Sequence, residues 1–90
     1  MDLENRIRVI LELGEFMKSG ETEWEAAKTK AFHYNPWFIP DFIDLQVKNI
    51  VDRYLERNLL EKLIRNYDFP PQNKDPKNVG IVMAGNIPLV

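Results

Sequence analysis

Apolar and polar positions alternate with a helical period along the first part of this chain. The first apolar set recurs every three or four residues: Leu3, Ile7, Ile10, Leu11, Phe16 and Met17. Charged residues fill much of the opposite face. Asp2 is suited to accept a hydrogen bond from the first backbone N–H groups, and Ser19-Gly20 suits a helix end. The pattern predicts helix 1 over residues 2–18.

A second helix is predicted from a capping box, which is a Thr with a Glu three positions later. Thr22 and Glu25 match this motif, so we expect helix 2 to begin at Glu23 with Thr22 as its N-cap. The helix should end near Tyr34, because the following Asn35-Pro36 step disfavours helical geometry. We expect these side chains to face inward: Trp24, Ala27, Ala31 and Phe32.

Two further helices are predicted on either side of residue 55. Pro40 suits a first helical turn, and helix 3 is expected over residues 40–54. Its apolar positions alternate with charged ones: Phe42, Leu45, Ile50 and Tyr54. Helix 4 is expected over residues 55–67 from a further apolar set: Leu59, Leu60, Leu63 and Ile64. A bend near Arg57-Asn58, separating the two helices, is left open.

The character of the chain changes after residue 67. Residues 68–78 contain three prolines and no periodicity, which indicates a linker. Residues 79–82 are Val-Gly-Ile-Val and predict a buried strand, followed by a tight turn at Ala84-Gly85-Asn86. A single strand cannot pair its own backbone, so we expect self-association through it or a sheet completed elsewhere.

The predicted fold class is therefore mostly α, with about four amphipathic helices, a Pro-rich linker and one C-terminal strand. We expect a helical N-terminal unit over residues 1–67 and the linker over residues 68–78. Residues 79–90 would form the first strand and turn of an α/β domain. In this interpretation the chain is the front end of a larger protein, whose remaining residues complete the sheet.

Composition excludes several classes of function for these residues. The net charge is −2 and both signs are interspersed along the helices, so no basic footprint for nucleic acid is present. There is no cysteine, and hence no disulfide, thiolate metal site or cysteine nucleophile. The first residues are acidic rather than typical of a signal peptide, and no apolar run approaches the ~20 residues of a membrane span. We expect a cytoplasmic protein.

The ionisable side chains do not form a recognisable catalytic set. Glu21, Glu23 and Glu25 cluster at a helix start, where the helix dipole favours them. His33 is the only histidine, so we expect no metal site. An aromatic cluster around the junction of helices 2 and 3 is either a hydrophobic plug or a surface that contacts an apolar substrate or the rest of the protein. Its members are Phe32, His33, Tyr34, Trp37, Phe38 and Phe42.

The turn after the predicted strand is a candidate ligand site. Small residues at the carboxyl end of a strand let a ligand approach the backbone, and open α/β sheets bind ligands at that edge. The glycines do not form a phosphate loop, because no Lys-Ser/Thr follows them and no G-x-G-x-x-G occurs. Asn86 offers a carboxamide N–H where an oxyanion would sit. A simple turn also favours Asn and Gly.

The whole string from Val79 to Val90 closely resembles a segment of the long-chain fatty-acyl reductases of the bacterial bioluminescence type, a family of acyl-CoA reductases. Upstream, Asn35-Pro36-Trp37-Phe38 precedes a helix opened by a proline and is similar to the N-terminal helical region of that family. The order and spacing of the two motifs also match, so the resemblance covers about residues 35–90. The family is in turn similar to the aldehyde dehydrogenase superfamily.

The resemblance implies an oxidoreductase that converts an acyl thioester such as acyl-CoA to an aldehyde, with NADPH or NADH as the cofactor of the full-length protein. It implies attack by a cysteine beyond Val90, an acyl-enzyme and then hydride transfer. By position, Asn86 is the oxyanion donor and Met83-Ala84-Gly85 borders the cofactor. Gly85 and Ile87 stand where the dehydrogenases have Trp and Phe. The chain by itself should be inactive, because it has no thiol.

Two other interpretations stay open. The chain is also suited to be a non-catalytic helical interaction module whose apolar tail adds a strand to a partner's sheet. A different relative of the aldehyde dehydrogenases, such as a phosphate-linked reductase, is the third. The reading frame beyond Val90 separates the first two: a long continuation with a downstream cysteine favours the reductase, and an immediate stop favours the module.

Overall fold

The computed structural model describes residues 1–83, which form four α-helices and, within that range, no strand. The helices are α1 (Leu3–Lys18), α2 (Thr22–Tyr34), α3 (Pro40–Tyr54) and α4 (Arg57–Arg65). The predicted mostly helical class is confirmed for these residues. The predicted strand begins at 79, and residues 79–83 have no strand structure; the turn at 84–86 and the residues after it lie outside the described range.

The predicted caps of α1 are confirmed at both ends. The Asp2 carboxylate accepts a hydrogen bond from the backbone N–H of Asn5 at 2.8 Å, which satisfies one of the unpaired donors of the first turn. At the other end the Ser19 hydroxyl donates to the Phe16 carbonyl at 2.7 Å. Gly20 follows with φ of +68°, a conformation that favours glycine, and reverses the chain toward α2.

The predicted start of α2 is wrong by one residue. The helix includes Thr22, and its N-cap is Glu21, which has extended backbone geometry and no side-chain cap hydrogen bond. The Glu21 N–H donates to the Ser19 hydroxyl at 3.2 Å. The loop between α1 and α2 is therefore one residue shorter than the capping box predicts. The predicted end is confirmed: Asn35, ahead of its proline, has φ −142° and ψ 100°.

The structure separates α3 from α4 two residues before the bend considered in the sequence. Leu55 caps α3 by donating its N–H to the Val51 carbonyl at 3.1 Å, and Glu56 is extended, with φ −105° and ψ 138°. Residue 55 therefore belongs to neither helix. The α4 helix is also shorter than predicted, because Asn66 and Tyr67 bond to carbonyls three residues back in a tightened final turn.

The core lies between α1 and α3, and it uses a different face of α3 from the one predicted. The buried side chains of α3 are Ile43, Val47 and Val51, which are spaced four residues apart. Phe42 and Leu45 lie on the opposite side of the helix and are exposed. The buried residues pack with Met17 of α1. Partly buried side chains surround this cluster: Trp24, Ala31, Phe38 and Leu55.

Gly14 lets α1 approach the end of α3 closely. It is buried, and a Cβ atom placed on it would lie 3.2 Å from the Cβ of Leu55 and 3.6 Å from a methyl group of Val51. The first distance is shorter than ordinary van der Waals contact, so a side chain here would require Leu55 to shift by a few tenths of an ångström. This glycine did not enter the sequence predictions, because a single glycine within a helix has no local signature.

Polar contacts tie α4 and the start of the linker to α1. Arg57 of α4 lies 3.3 Å from the carboxylate of Glu4 and 3.4 Å from that of Glu61. The Pro71 carbonyl accepts a hydrogen bond from the Leu3 N–H at 2.8 Å. The chain after α4 thus returns to the amino end of α1. None of the helices in residues 1–83 is long and apolar enough to cross a membrane.

Candidate interaction surface

In the connector between α2 and α3, the side chain of Trp37 faces solvent and that of the next residue, Phe38, faces the core. The Asn35 side-chain oxygen accepts the Trp37 N–H at 3.1 Å, and the Asn35 carbonyl accepts the Phe38 N–H at 3.0 Å. This arrangement is an Asx turn, in which a short polar side chain imitates a backbone turn. Phe38 packs against the core cluster and anchors the turn, whereas Trp37 is directed to solvent.

Three aromatic side chains near this connector are largely exposed, and we call them the aromatic surface. The exposed fractions are 76% for Tyr34, 86% for Trp37 and 63% for Phe42. All three lie within nine residues of chain, where α2 ends and α3 begins. The expectation that Phe32 faces inward is wrong, since its ring is exposed, and only Phe38 of the predicted cluster packs against the core as a plug. The arrangement of the other three is that of a surface available for contact, with Trp and Tyr, the residue types that dominate binding energy at interfaces.

The neighbouring polar groups support the position of Tyr34. The Lys30 ammonium lies 5.8 Å from the centre of the Tyr34 ring, and the His33 ring meets the same ring edge-on at 5.9 Å. These contacts restrict the ring without covering it. On α3, Leu45 lies one turn beyond Phe42 on the same face and is also exposed, which extends the apolar area along the helix.

An apolar groove of about 340 Å³ runs between α1 and α2, and we call it the α1–α2 groove. Ile43 of α3 lies at its base, and Lys28 is the one charged residue that lines it. The other lining residues are Leu13, Met17, Trp24, Ala27 and Ala31. The groove shows that α1 and α2 do not interlock along this side. Their direct aromatic contact is at one end, where the rings of Phe16 and Trp24 meet edge-on at 6.0 Å.

Lys28 connects α2 to α3 beside the groove. Its ammonium lies 2.7 Å from the Asp44 carboxylate and 2.9 Å from that of Glu25, and its side chain is only 11% exposed. Hydrogen bonding to Asp44, and then to Glu25, raises the pKa of Lys28 above its ordinary value of 10.5. A raised pKa means that these bonds stabilise the fold fully below pH 10.5 and that this stabilisation is lost as the pH rises beyond it.

The structure describes only one of the predicted site residues. Met83 lies at the end of the described chain and is about half exposed. Ala84, Gly85 and Asn86 lie outside the described residues, so the oxyanion and cofactor-border roles stay predictions. His33 is exposed at the end of α2. Within residues 1–83 no three His, Asp or Glu side chains come together as a metal site would require.

Exposed apolar side chains are the feature of the described residues that suits binding. No polar or charged residue among them is buried, and no buried side-chain nitrogen or oxygen lacks a partner. Apolar side chains, by contrast, are presented to solvent at the aromatic surface and along the groove. The chemistry available there is burial of apolar area against another molecule.

Sequence reasoning found the aromatic cluster but missed the Lys28–Asp44 pair. Asp44 is exposed on α3, and its carboxylate accepts a hydrogen bond from a lysine 16 positions earlier in the chain. No local spacing rule links residues that far apart, and the pair depends on how α2 crosses α3. The one indication in the sequence is that Lys28 lies on the same helix face as Trp24 and Ala31.

Comparison with known proteins finds no matching family model, no matching curated protein and no matching solved structure. The resemblance to the acyl-CoA reductases therefore stays a prediction that rests on residues 35–90 of this sequence.

Proposed function

We propose that this chain is the N-terminal segment of a cytoplasmic acyl-CoA reductase, and that its aromatic surface packs against the part of the same polypeptide that carries the nucleophile. The observation that supports this best is the exposure of Trp37 on a turn held by the core contact of Phe38. Aromatic side chains of this size carry about 150–250 Å² of surface each, so covering three of them would remove several hundred Å² from water.

The extended segment after the linker supports the same proposal. Val79, Ile81 and Val82 are β-branched and largely exposed, and within residues 1–83 they pair with no strand. Such a run favours the interior of a sheet, where both faces are covered. A sheet contributed by the catalytic part would provide the missing backbone partners. This role agrees with the resemblance of residues 79–90 to the reductase segment.

The chemistry implied by the resemblance assigns the nucleophile to the remainder of the protein. A cysteine beyond Val90 would attack the acyl thioester, and the side-chain N–H of Asn86 would donate to the oxygen that becomes negative. The hydride would come from NADPH or NADH, bordered by Met83-Ala84-Gly85. The present chain would contribute position and charge stabilisation but no covalent step, because it has no thiol.

Assay of the full-length protein tests this function. With an acyl-CoA and NADPH it should release an aldehyde, and Asn86→Ala should lower kcat by about 10²–10³ with a much smaller change in acyl-CoA binding. Asn86→Asp keeps the turn preference but places an anion at the site, so it should also be slow. Full turnover of the Asp variant, or an acyl adduct on the 90-residue chain, would contradict the assignment.

Packing of the aromatic surface is tested separately from the chemistry. Trp37→Ser should destabilise the full-length protein and leave the 90-residue chain nearly unchanged, because Trp37 is covered only in the former. Tyr67→Ser is the matched control, since Tyr67 is similarly exposed but lies beyond α4, away from the connector. Equal stability of the Trp37 variant and the wild type in the full-length background would disprove the packing.

A non-catalytic helical interaction module is the second candidate. It is favoured by the core that α1 and α3 form without help from residues 79–83. In that case the aromatic surface and the extended segment would contact a separate partner or a second copy. A reading frame that ends at Val90 would support the module, and a long continuation with a downstream cysteine would support the reductase.

A further inference from the structure

The α2 helix is the least anchored of the three longer helices. α1 and α3 each carry buried side chains, whereas α2 has none. Its N-cap makes no side-chain hydrogen bond, and Gly20, just before it, has a positive φ and no atom within 4 Å of an added Cβ. Segments with little buried apolar surface and open termini are the ones that open locally in native proteins.

The groove shows why separating α2 from α1 would break few contacts on the side of α2 that faces α1. About 340 Å³ of space lies between α1 and α2, so the groove-facing atoms of Ala27 and Ala31 lack close partners on α1. Dispersion attraction falls steeply with separation, and groups across such a gap forfeit much of it. The contacts that remain are the partial burial of Trp24 and Ala31 against the core cluster, the edge-on contact of the Trp24 ring with Phe16 and the Lys28 ion pair.

Lys28–Asp44 is the one salt bridge between α2 and any other helix within residues 1–83. The other acidic partner of Lys28, Glu25, belongs to α2 itself and so does not hold the helix in place. The Lys28 side chain is 11% exposed and that of Asp44 is 58% exposed, so the pair is partly solvated and its contribution is modest. Loss of the Asp44 charge would leave the ammonium with its partner on α2 alone.

We propose that α2 is a locally opening flap on the α1–α3 core and that the Lys28–Asp44 ion pair is its latch. Opening exposes Met17 and Ile43, which are buried in the closed form at the base of the α1–α2 groove. The core of α3 keeps its packing against α1 in the open form. This inference is independent of the proposed function, because it concerns contacts within residues 1–83 only.

Amide hydrogen exchange of the 90-residue chain, followed residue by residue by NMR, tests the flap. Amides of residues 26–34 should exchange about tenfold or more faster than those of residues 10–17 and 44–51, after correction for intrinsic rates. Asp44→Asn should accelerate exchange in α2 by a further three- to tenfold, roughly, and leave the ratio between α1 and α3 unchanged. Lys28→Met, which retains an apolar stem, should have the same selective effect.

Asp52→Asn is the matched control. It removes the Lys48–Asp52 pair, which is equally short at 2.7 Å but lies within α3 and is solvent exposed. It should leave α2 exchange unchanged. Equal exchange rates in α1, α2 and α3 would show that α2 opens only with the whole fold, and so would overturn the flap. An unchanged α2 in both the Asp44 and Lys28 variants would overturn the latch.

Discussion

Helices α1 and α3 bury apolar side chains, whereas helices α2 and α4 leave theirs exposed or only partly buried. Every buried residue of the described helices belongs to α1 or α3, and none belongs to α2 or α4. The difference does not follow from amphipathicity, since α4 has a regular apolar stripe of which Leu59 and Leu63 are exposed and Leu60 and Ile64 only partly buried. A periodic pattern predicts a helix and one apolar face, but not how fully that face is covered.

Position in the bundle explains the difference. α3 packs against α1, α2 and α4, so its Ile43, Val47 and Val51 stripe is enclosed from several sides. An outer helix has neighbours on one side only, and large side chains at the margin of its stripe remain in water. The extra exposed apolar area at Tyr34, Trp37 and Phe42 lies at the outer end of this arrangement.

The largest expected effect separates the inner helices from the outer ones. Ile43→Ala should lower the free energy of unfolding by about 2–5 kcal/mol, because it removes a buried side chain and leaves a cavity. Leu63→Ala on α4 should cost about 1 kcal/mol, since much of that side chain is already in water. Urea unfolding followed by circular dichroism measures both. Ile43→Val, at about 0.5–1.5 kcal/mol, serves if the Ala variant does not fold.

A second test compares two glycines. Gly14→Leu should destabilise the fold by about 1–3 kcal/mol, because the larger side chain meets Leu55 and Val51. Gly14→Ala should be milder, since its closest contact of 3.2 Å opposes the helix preference of alanine. Gly20→Ala should cost about 1–2 kcal/mol through its positive φ alone. A Gly14→Leu variant as stable as the wild type would mean that α1 and α3 are further apart than described.

Two substitutions at helix starts should have smaller effects, and the two effects should differ in size. Asp2→Ala should lower stability by about 1 kcal/mol, because it removes the hydrogen bond to the Asn5 N–H. Thr22→Ala, for which the capping box predicts a similar loss, should now change stability by less than about 0.5 kcal/mol, since Thr22 lies inside α2. Thermal melts of the two variants decide this. A larger loss of stability for Thr22→Ala than for Asp2→Ala would indicate that Thr22 is the N-cap of α2 after all.

The smallest effect is expected at the aromatic surface. In the 90-residue chain Trp37→Ser should alter the free energy of unfolding by no more than about 0.5 kcal/mol, because the ring is 86% exposed. The same measurement on Phe38→Ser should show a loss of several kilocalories, since Phe38 contacts the core. Similar losses in the two variants would mean that Trp37 is packed and that no aromatic surface exists.

The last prediction concerns residues 79–83, whose apolar side chains are exposed. Val82 is fully exposed in the described chain, and an exposed β-branched segment is a template for association. Val82→Lys should therefore shift the 90-residue chain toward the monomer in sedimentation velocity. A monomeric mass for both the variant and the wild type would show that residues 79–83 do not associate.

Much of the candidate site was accessible from sequence, but its orientation was not. The aromatic cluster and the helix break at Asn35-Pro36 were found from residue types, and α2 ends where expected. Which ring points inward depends on the relative placement of α2 and α3, and that placement sends Phe38 to the core and Trp37 to solvent. The predicted roles of Met83-Ala84-Gly85 and Asn86 depend on a sheet that the described residues do not contain.

The sequence by itself determined where most helices begin and end. Asp2, Asn35-Pro36 and Pro40 act within one helical turn, so their effects do not depend on distant residues. Only the tertiary structure decided which face of α3 is buried, because both of its faces carry apolar residues and the neighbouring helices select one. It also decided the Gly14 contact and the Lys28–Asp44 pair, since each joins residues on different helices whose relative placement no local pattern encodes.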